Sequence, residues 1–518
     1  MAANETASIT TPDSQTLQEQ QTRNATRGGL VVLLAKMVFI VGGLAQKILL
    51  PHVIGMSGFG AFGRMSALPN VLNNVAVSAT IMGVSKAVAS SPEPDATQRQ
   101  VLRIHAAIAV LLGAVLFAGA PWVAAFQRAP EMTLGLRVMS AVLAAYGLYA
   151  ACIGVLNGTQ RFAVQARFDM AYTVLRTALM LGGAWLSMRM SARGEVGAAA
   201  GIVAASSLIL LLSYARIGRG SEGRTALSDG AYVRALLPVA GVQLIANLLM
   251  QADMLWLGRV LTPVNPSTLE VTEVNLWCGY YQAATVFAFL PYQLSIAVTQ
   301  VLLPGVAKAF VARDTEATRL QVQRGARWGL LLVGLLAGTI VFLHGNAVSF
   351  LFGAEAGRHT AHVVRWLCVA QGLFAMMALG QTVLVAVDRR RDALFVSLIT
   401  LVVVAVGFGA IVASAQAKDL VLVTLSERMA LAMAVGAIAS AVMVLRVVPK
   451  SLPRFTLVRV VVWICAALGA GAALGTMGKL QTLLTAAGAV MAYAAYLMVS
   501  GELSAAELRG IAKLVLRR

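Results

Sequence analysis

Two lysines, Lys36 and Lys47, stand eleven residues apart inside one long apolar run, and at 3.6 residues per turn a helix places them about 20° apart on one face. A basic side chain near the centre of a bilayer costs on the order of 2.5–3.5 kcal/mol on insertion scales, so a face carrying two of them calls for a wet cavity or an anionic partner. Snorkelling to the membrane interface is the plainer alternative, and it suits Lys47 better than the deeper Lys36. Arg176 and Arg428 are further charges within apolar runs. Each also has an acid for a structural ion pair, Asp169 seven residues before Arg176 on the same face and Glu427 adjoining Arg428.

Amide side chains add a second kind of chemistry. Asn70, Asn74 and Ser78 recur every fourth residue with Asn73 alongside, and Gln243, Asn247 and Gln251 repeat that spacing further on. Both patterns make a polar stripe along one helix face, suited to lining a cavity or to hydrogen bonds between helices. Asp253 is the one acid deep in its run; proton or cation coupling and pairing with a buried base are both open to it. Trp277, Tyr280 and Tyr281 suit stacking on sugars or an interfacial aromatic belt.

Long apolar helices must position these residues. Fourteen windows reach the length of about 20 residues that a hydrocarbon core of about 30 Å requires. They run over 29–51, 65–88, 101–126, 133–157, 169–190, 196–215, 235–258, 277–300, 327–346, 361–387, 393–414, 420–445, 457–476 and 480–499. With 58% hydrophobic residues, 12% charged residues and a mean hydropathy of +0.78, the chain has too little polar surface to enclose its apolar residues in water. An all-α polytopic membrane protein follows, since lipid leaves helices as the economical way to satisfy the backbone.

The net charge of +19 is distributed as a membrane topology demands. Of 41 Lys and Arg, with those at the ends of a window counted in the adjoining loop, 27 fall in the two tails and the even-numbered loops, 10 in the odd-numbered loops and 4 deep within spans. Basic loops stay inside, so both termini are expected in the cytoplasm. No basic stripe carries interleaved aromatics, which argues against a nucleic-acid partner. Residues 1–28 are polar and read as a disordered cytoplasmic tail, 500–518 as a basic one. Asn24 to Thr26 match a glycosylation sequon, which that topology would leave in the cytosol.

Enzyme signatures are missing: no GxxxxGK[ST], HExxH or GxSxG is present. Cys152, Cys278, Cys368 and Cys465 occur singly with no zinc spacing, so neither a disulfide, a metal nor any other cofactor is expected.

An internal repeat organises the first twelve spans. A displacement of 222 residues brings Phe59 onto Tyr281, Ala61 onto Ala283, Pro69 onto Pro291, Val84 onto Val306 and Lys86 onto Lys308. A displacement of 228 brings Val155 and Leu156 onto Val383 and Leu384, and Arg161 onto Arg389. The domains expected are a first lobe over 29–217, a second over 233–446, and an appended pair of spans over 457–499. Six spans return the chain to its starting side, so the two copies are parallel.

The run GLAQKILLPHVIGMSGFGAFGRMSALPNVLNNVAVSATIMGVSKAVAS from Gly43 resembles the opening of the polysaccharide biosynthesis and export flippases of the multidrug/oligosaccharidyl-lipid/polysaccharide exporter superfamily. CGYYQAATVFAFLPYQLSIAVTQVLLPGVAK from Cys278, SFLFG from Ser349 and VLVAVDRRRDAL from Val383 follow in that family's order. The resemblance covers nearly the whole chain. It implies a V-shaped, two-lobed transporter of the bacterial inner membrane that moves a lipid-linked oligosaccharide by alternating access, beside polysaccharide polymerase and glycosyltransferase machinery. On that reading Lys36, Lys47 and Arg176 meet a pyrophosphate, Asn70, Asn74, Gln243, Asn247 and Gln251 meet sugars, Asp253 serves ion coupling, and the polyprenyl tail stays in lipid beside spans thirteen and fourteen. A drug or small-solute exporter of the same superfamily and a major-facilitator-type transporter are the alternatives. The arginine-rich opening of the lipid II flippase branch is not reproduced by LLPHVIGMSGFGAFGRM.

Overall fold

The structure, a computed structural model, describes residues 14–504 and 507 except 224, 226, 227, 264–266 and 413–416; of the side chains within helices, it leaves out those of 14–36, of several positions between 296 and 304 and of 412. Every regular element among the described residues is helical. Helix α1 (Ser14–Ala89) is followed by α2 (Pro94–Phe126), α3 (Thr133–Gly158), α4 (Phe162–Arg189) and α5 (Gly194–Ile217). The second half begins with α6 (Asp229–Leu261), α7 (Thr268–Ala288), α8 (Leu290–Val311), α9 (Thr315–Leu343) and the short α10 (Gly345–Phe352). It continues with α11 (Ala354–Ala386), α12 (Arg390–Val412) and α13 (Lys418–Val447), and α14 (Arg454–Ala472) and α15 (Lys479–Val499) close the chain.

Helix α1 is two crossings joined at Gly55, whose φ of 73° and ψ of 169° break the helical path. Such a conformation is essentially reserved for glycine. The first arm runs alongside α4, with Gly42 against Thr173 and Gln46 bonded to Thr177. The second arm runs alongside α3, from Met65 against Gly135 to Val88 against Gly158. Because α3 and α4 are themselves antiparallel neighbours, the two arms are antiparallel too. The Gly55 end of the molecule is thereby set apart from the end where the tails lie.

Eleven described segments are long and apolar enough to cross a membrane by length and composition alone, α1 counting once. Its two arms make twelve. The remaining two of the fourteen windows are α4, which carries Arg167, Asp169 and Arg176, and the polar, aromatic α7 with α8. The eighth window is thus two helices, broken just before Pro291 where the proline lacks an amide to continue the ladder. The first helix begins at Ser14, inside the stretch expected as a disordered tail, and residues 1–13 lie outside the described residues.

Neighbour relations recur between the halves. Helix α3 packs on α1, α2 and α5, and α11 packs on α7, α8, α9 and α13. The residues matched by the 222-residue offset share their burial: Phe59 with Tyr281, Ala61 with Ala283 and Val84 with Val306 are buried, while Lys86 and Lys308 are exposed. At the 228-residue offset even the turn repeats. Gln160 and Asp388 take φ of 58° and 57°, and the next amides, of Arg161 and Arg389, donate to Leu156 O and Leu384 O at 2.8 and 2.7 Å.

Helices α14 and α15 are fastened to α9 at both ends. His344 Nε2 lies 2.9 Å from Gly471 O and Asn346 Nδ2 donates to Gly475 O at 3.0 Å. At the opposite end Glu502 accepts from Arg327 Nε at 2.9 Å, from Thr456 Oγ1 at 2.6 Å and from Arg459 Nη1.

Candidate functional site

The two halves of the chain meet on the Gly55 side. Gly60 of α1 lies so close to the backbone of α7 at Asn275 and Gly279 that no Cβ fits there, and Gly279 is equally tight against Met56 O. Beside this crossing Arg64, 1% exposed, gathers four elements. It donates to Asn275 Oδ1 on α7 and Gln127 O at the end of α2, both at 2.8 Å, and to Thr262 Oγ1 after α6 at 3.1 Å. The arginine is not ion-paired to any acid among the described residues; carbonyl and amide dipoles meet its charge. Counted by sequence among the loop charges, Arg64 is the largest fully buried side chain in the protein's described part. Its position directly after the glycine-rich stretch 55–63 and shortly before Asn70, Asn73 and Asn74 was the available signal.

Toward the tail side the halves separate. Helix α6 leaves with the first half, Leu236 against Gly83 and Asn74 Nδ2 donating to Asn247 Oδ1 at 3.0 Å, while α8 packs on α9 and α11. Lys47 is exposed, yet its ammonium sits 5.4 Å from the ring centroid of Phe289 in the second half, within cation–π range. Its exposure is therefore toward the space between the halves. Arg176 on α4 is near enough to repel it. Neither cation forms an ion pair with an acid among the described residues. The Asp169 to Arg176 pair does not form; Asp169 instead accepts from Tyr149 at 3.1 Å and Gln165 at 3.4 Å. Lys36 lies on α1 among the side chains outside the described residues.

The amide stripes divide. Asn74 and Asn247 join the helices α1 and α6, and Asn247 also donates to Gln243 O at 2.9 Å, which is the interhelical role. Asn70 and Asn73 line a cavity with Arg176, whereas Gln243 and Gln251 are half-buried on α6. Asp253 is 5% exposed, accepts from the Tyr281 hydroxyl at 3.0 Å and the Met254 amide at 2.7 Å, and has no basic partner among the described residues. Tyr281 thus belongs to the core and not to an outer aromatic belt. Trp277 and Tyr280 instead surround His359, at centroid distances of 4.8 and 5.3 Å. Glu427 and Arg428 are both exposed on α13 and form no ion pair. No group of three His, Cys, Asp or Glu suited to a metal occurs among the described residues.

Two apolar pockets flank the cleft. One of about 470 Å³ lies between α2, α6 and α12, around Trp122, Trp256 and Phe408. Another of about 230 Å³ lies between α8, α9, α11, α13 and the start of α14, with Leu302, Leu330 and Leu457 in its wall.

Known proteins share this architecture. The lipid II flippase MurJ in an inward closed conformation superposes with a TM-score of 0.70 at 13% identity, covering 90% of this chain and 98% of that one. A multidrug resistance MATE family transporter of the MOP superfamily, inward-facing, gives 0.59 at 15% identity over 82% and 99%. A MOP superfamily transporter from Pyrococcus furiosus gives 0.54 at 15% identity over 86% and 96%. At such identities the likeness is one of fold. None of the curated proteins matches the chain. Residues 57–356 match the family described as polysaccharide biosynthesis protein, and with more than half its length so matched, the chain belongs to that family and carries the MOP transporter fold.

Proposed function

We propose that the protein is a flippase that carries a polyprenyl-pyrophosphate-linked oligosaccharide from the inner to the outer leaflet of the bacterial inner membrane by alternating access. The observation that carries this reading is Lys47, a cation with no ion-paired acid among the described residues, turned into the space between the halves opposite Phe289, with the like charge of Arg176 on α4 near enough to repel it. Two like charges at one place in a membrane interior are costly unless an anion joins them. A pyrophosphate does so, and poor screening in the cleft strengthens the attraction. With the tails in the cytoplasm, the Arg64 junction closes the outer side and the cleft faces inward to receive the headgroup. The apolar pocket beside α14 offers the lipid tail a path, and Asp253 is the group available for ion coupling.

The test is translocation of a fluorescent polyprenyl-pyrophosphoryl oligosaccharide in vesicles holding the purified protein. Lys47→Ala abolishes transport with unchanged melting, and Lys47→Arg keeps part of it. Transport by Lys47→Ala at the wild-type rate overturns the reading.

A further inference from the structure

The cavity against α4 has a composition that phosphate does not explain. It measures about 60 Å³ and lies among Asn70, Asn73, Tyr172 and Arg176. Asn73 Oδ1 and Arg176 Nε are both buried there without a hydrogen-bond partner. One is an acceptor and the other a donor. A phosphate oxygen satisfies Arg176 but sets one acceptor against another at Asn73. Asn74 also lines it, and Pro69, Met139, Val142, Leu143 and Ile202 form an apolar part of the wall. The complement of this chamber has a carbonyl, an N–H and a small apolar end.

A secondary amide with a methyl group is that complement. We propose that the chamber receives the acetamido group of an N-acetylated hexosamine, its carbonyl accepting from Arg176 Nε, its N–H donating to Asn73 Oδ1 and its methyl resting on the apolar wall. This assignment rests on the glycan-lipid reading above. Because Arg176 is also near enough to Lys47 to repel it, the sugar so held is the one next to the pyrophosphate. The chamber thereby selects substrates by their first sugar and leaves the remaining glycan to the open cleft.

The experiment compares three short-chain prenyl pyrophosphates on the detergent-solubilised protein: unsubstituted, glucosyl and N-acetylglucosaminyl. The expected result is binding of all three, with the acetylated compound at least tenfold tighter than the glucosyl one. Asn73→Ser should remove that difference and leave glucosyl binding within twofold of wild type, whereas Lys47→Ala weakens all three together. Equal binding of the two sugars by wild type, which needs no variant to fold, means that the chamber holds only water and overturns the assignment while sparing the flippase reading. A preference that survives in Asn73→Ser overturns it too. Failure of the unsubstituted pyrophosphate to bind sinks both.

Discussion

Arg64 and Asn275, 211 positions apart in the chain, are joined by a buried hydrogen bond of 2.8 Å between the two halves. Hydrogen bonds to a charged group contribute about 1.5–3 kcal/mol, so their loss is large for an equilibrium between two conformations. Asn275→Ala is expected to shift the population toward an arrangement open on the Gly55 side. Spin labels placed on α1 and α7 near that end should report longer distances in the variant. Unchanged distances would remove Arg64 from any gating role.

The same junction makes a second prediction. The Ser57 hydroxyl donates to Thr272 O at 3.0 Å, so the backbones lie within reach of a short cross-link. A Ser57→Cys, Thr272→Cys pair joined by a bifunctional reagent should stop transport, and a reducible linker should restore it on reduction. Transport that continues through a fully cross-linked sample would show that this side need not open.

Gly55→Ala isolates the turn of α1. Nothing lies near the position where a Cβ would stand, so the penalty is that of the backbone conformation alone. Strain of this kind is about 1–3 kcal/mol. Thermal melting of the purified variant should fall accordingly, and an unaltered melting point would mean that the turn relaxes freely.

Acid should loosen the far end of the molecule. Burial by itself would raise the carboxyl of Glu502, and hydrogen bonds from Thr456, Arg327 and Arg459 outweigh it and hold the group below its usual range. Arg327 and the Ser504 amide bring Glu507 down to about 2. A depressed carboxylate contributes stability that is complete above the unfolded value of about 4.3 and is lost as pH falls through the folded one. Melting should therefore decline below about pH 4.3 in wild type and more shallowly in Glu502→Gln. Parallel declines would assign the acid sensitivity elsewhere.

The helical class, the positions of the crossings and the residues shared by the two halves were legible because hydropathy and a fixed offset are local or periodic signals. What escaped was pairing. A buried arginine with no acid nearby in sequence, such as Arg64, is indistinguishable from a loop charge until Gln127, Thr262 and Asn275 are brought to it by three other helices. The amide stripe likewise reads as one feature, yet Asn74 bonds to α6 while Asn73 Oδ1, one residue away, has no partner in the cavity that both side chains line. Helix rotation within the bundle makes that choice, and neighbours far along the chain set the rotation. The charges of α4, within the window 169–190, were the clue that it lines the interior.

Clamped at Gly471 and Gly475 on one side and at Glu502 on the other, α14 and α15 have no freedom to swing apart from α9. A fluorophore on α15 would consequently act as a pointer fixed to the second half, its separation from a partner on α4 converting a rocking of a few degrees into a readable change in energy transfer. The appended helices so provide an external gauge of the transport cycle at a site remote from the cations and from the glycan.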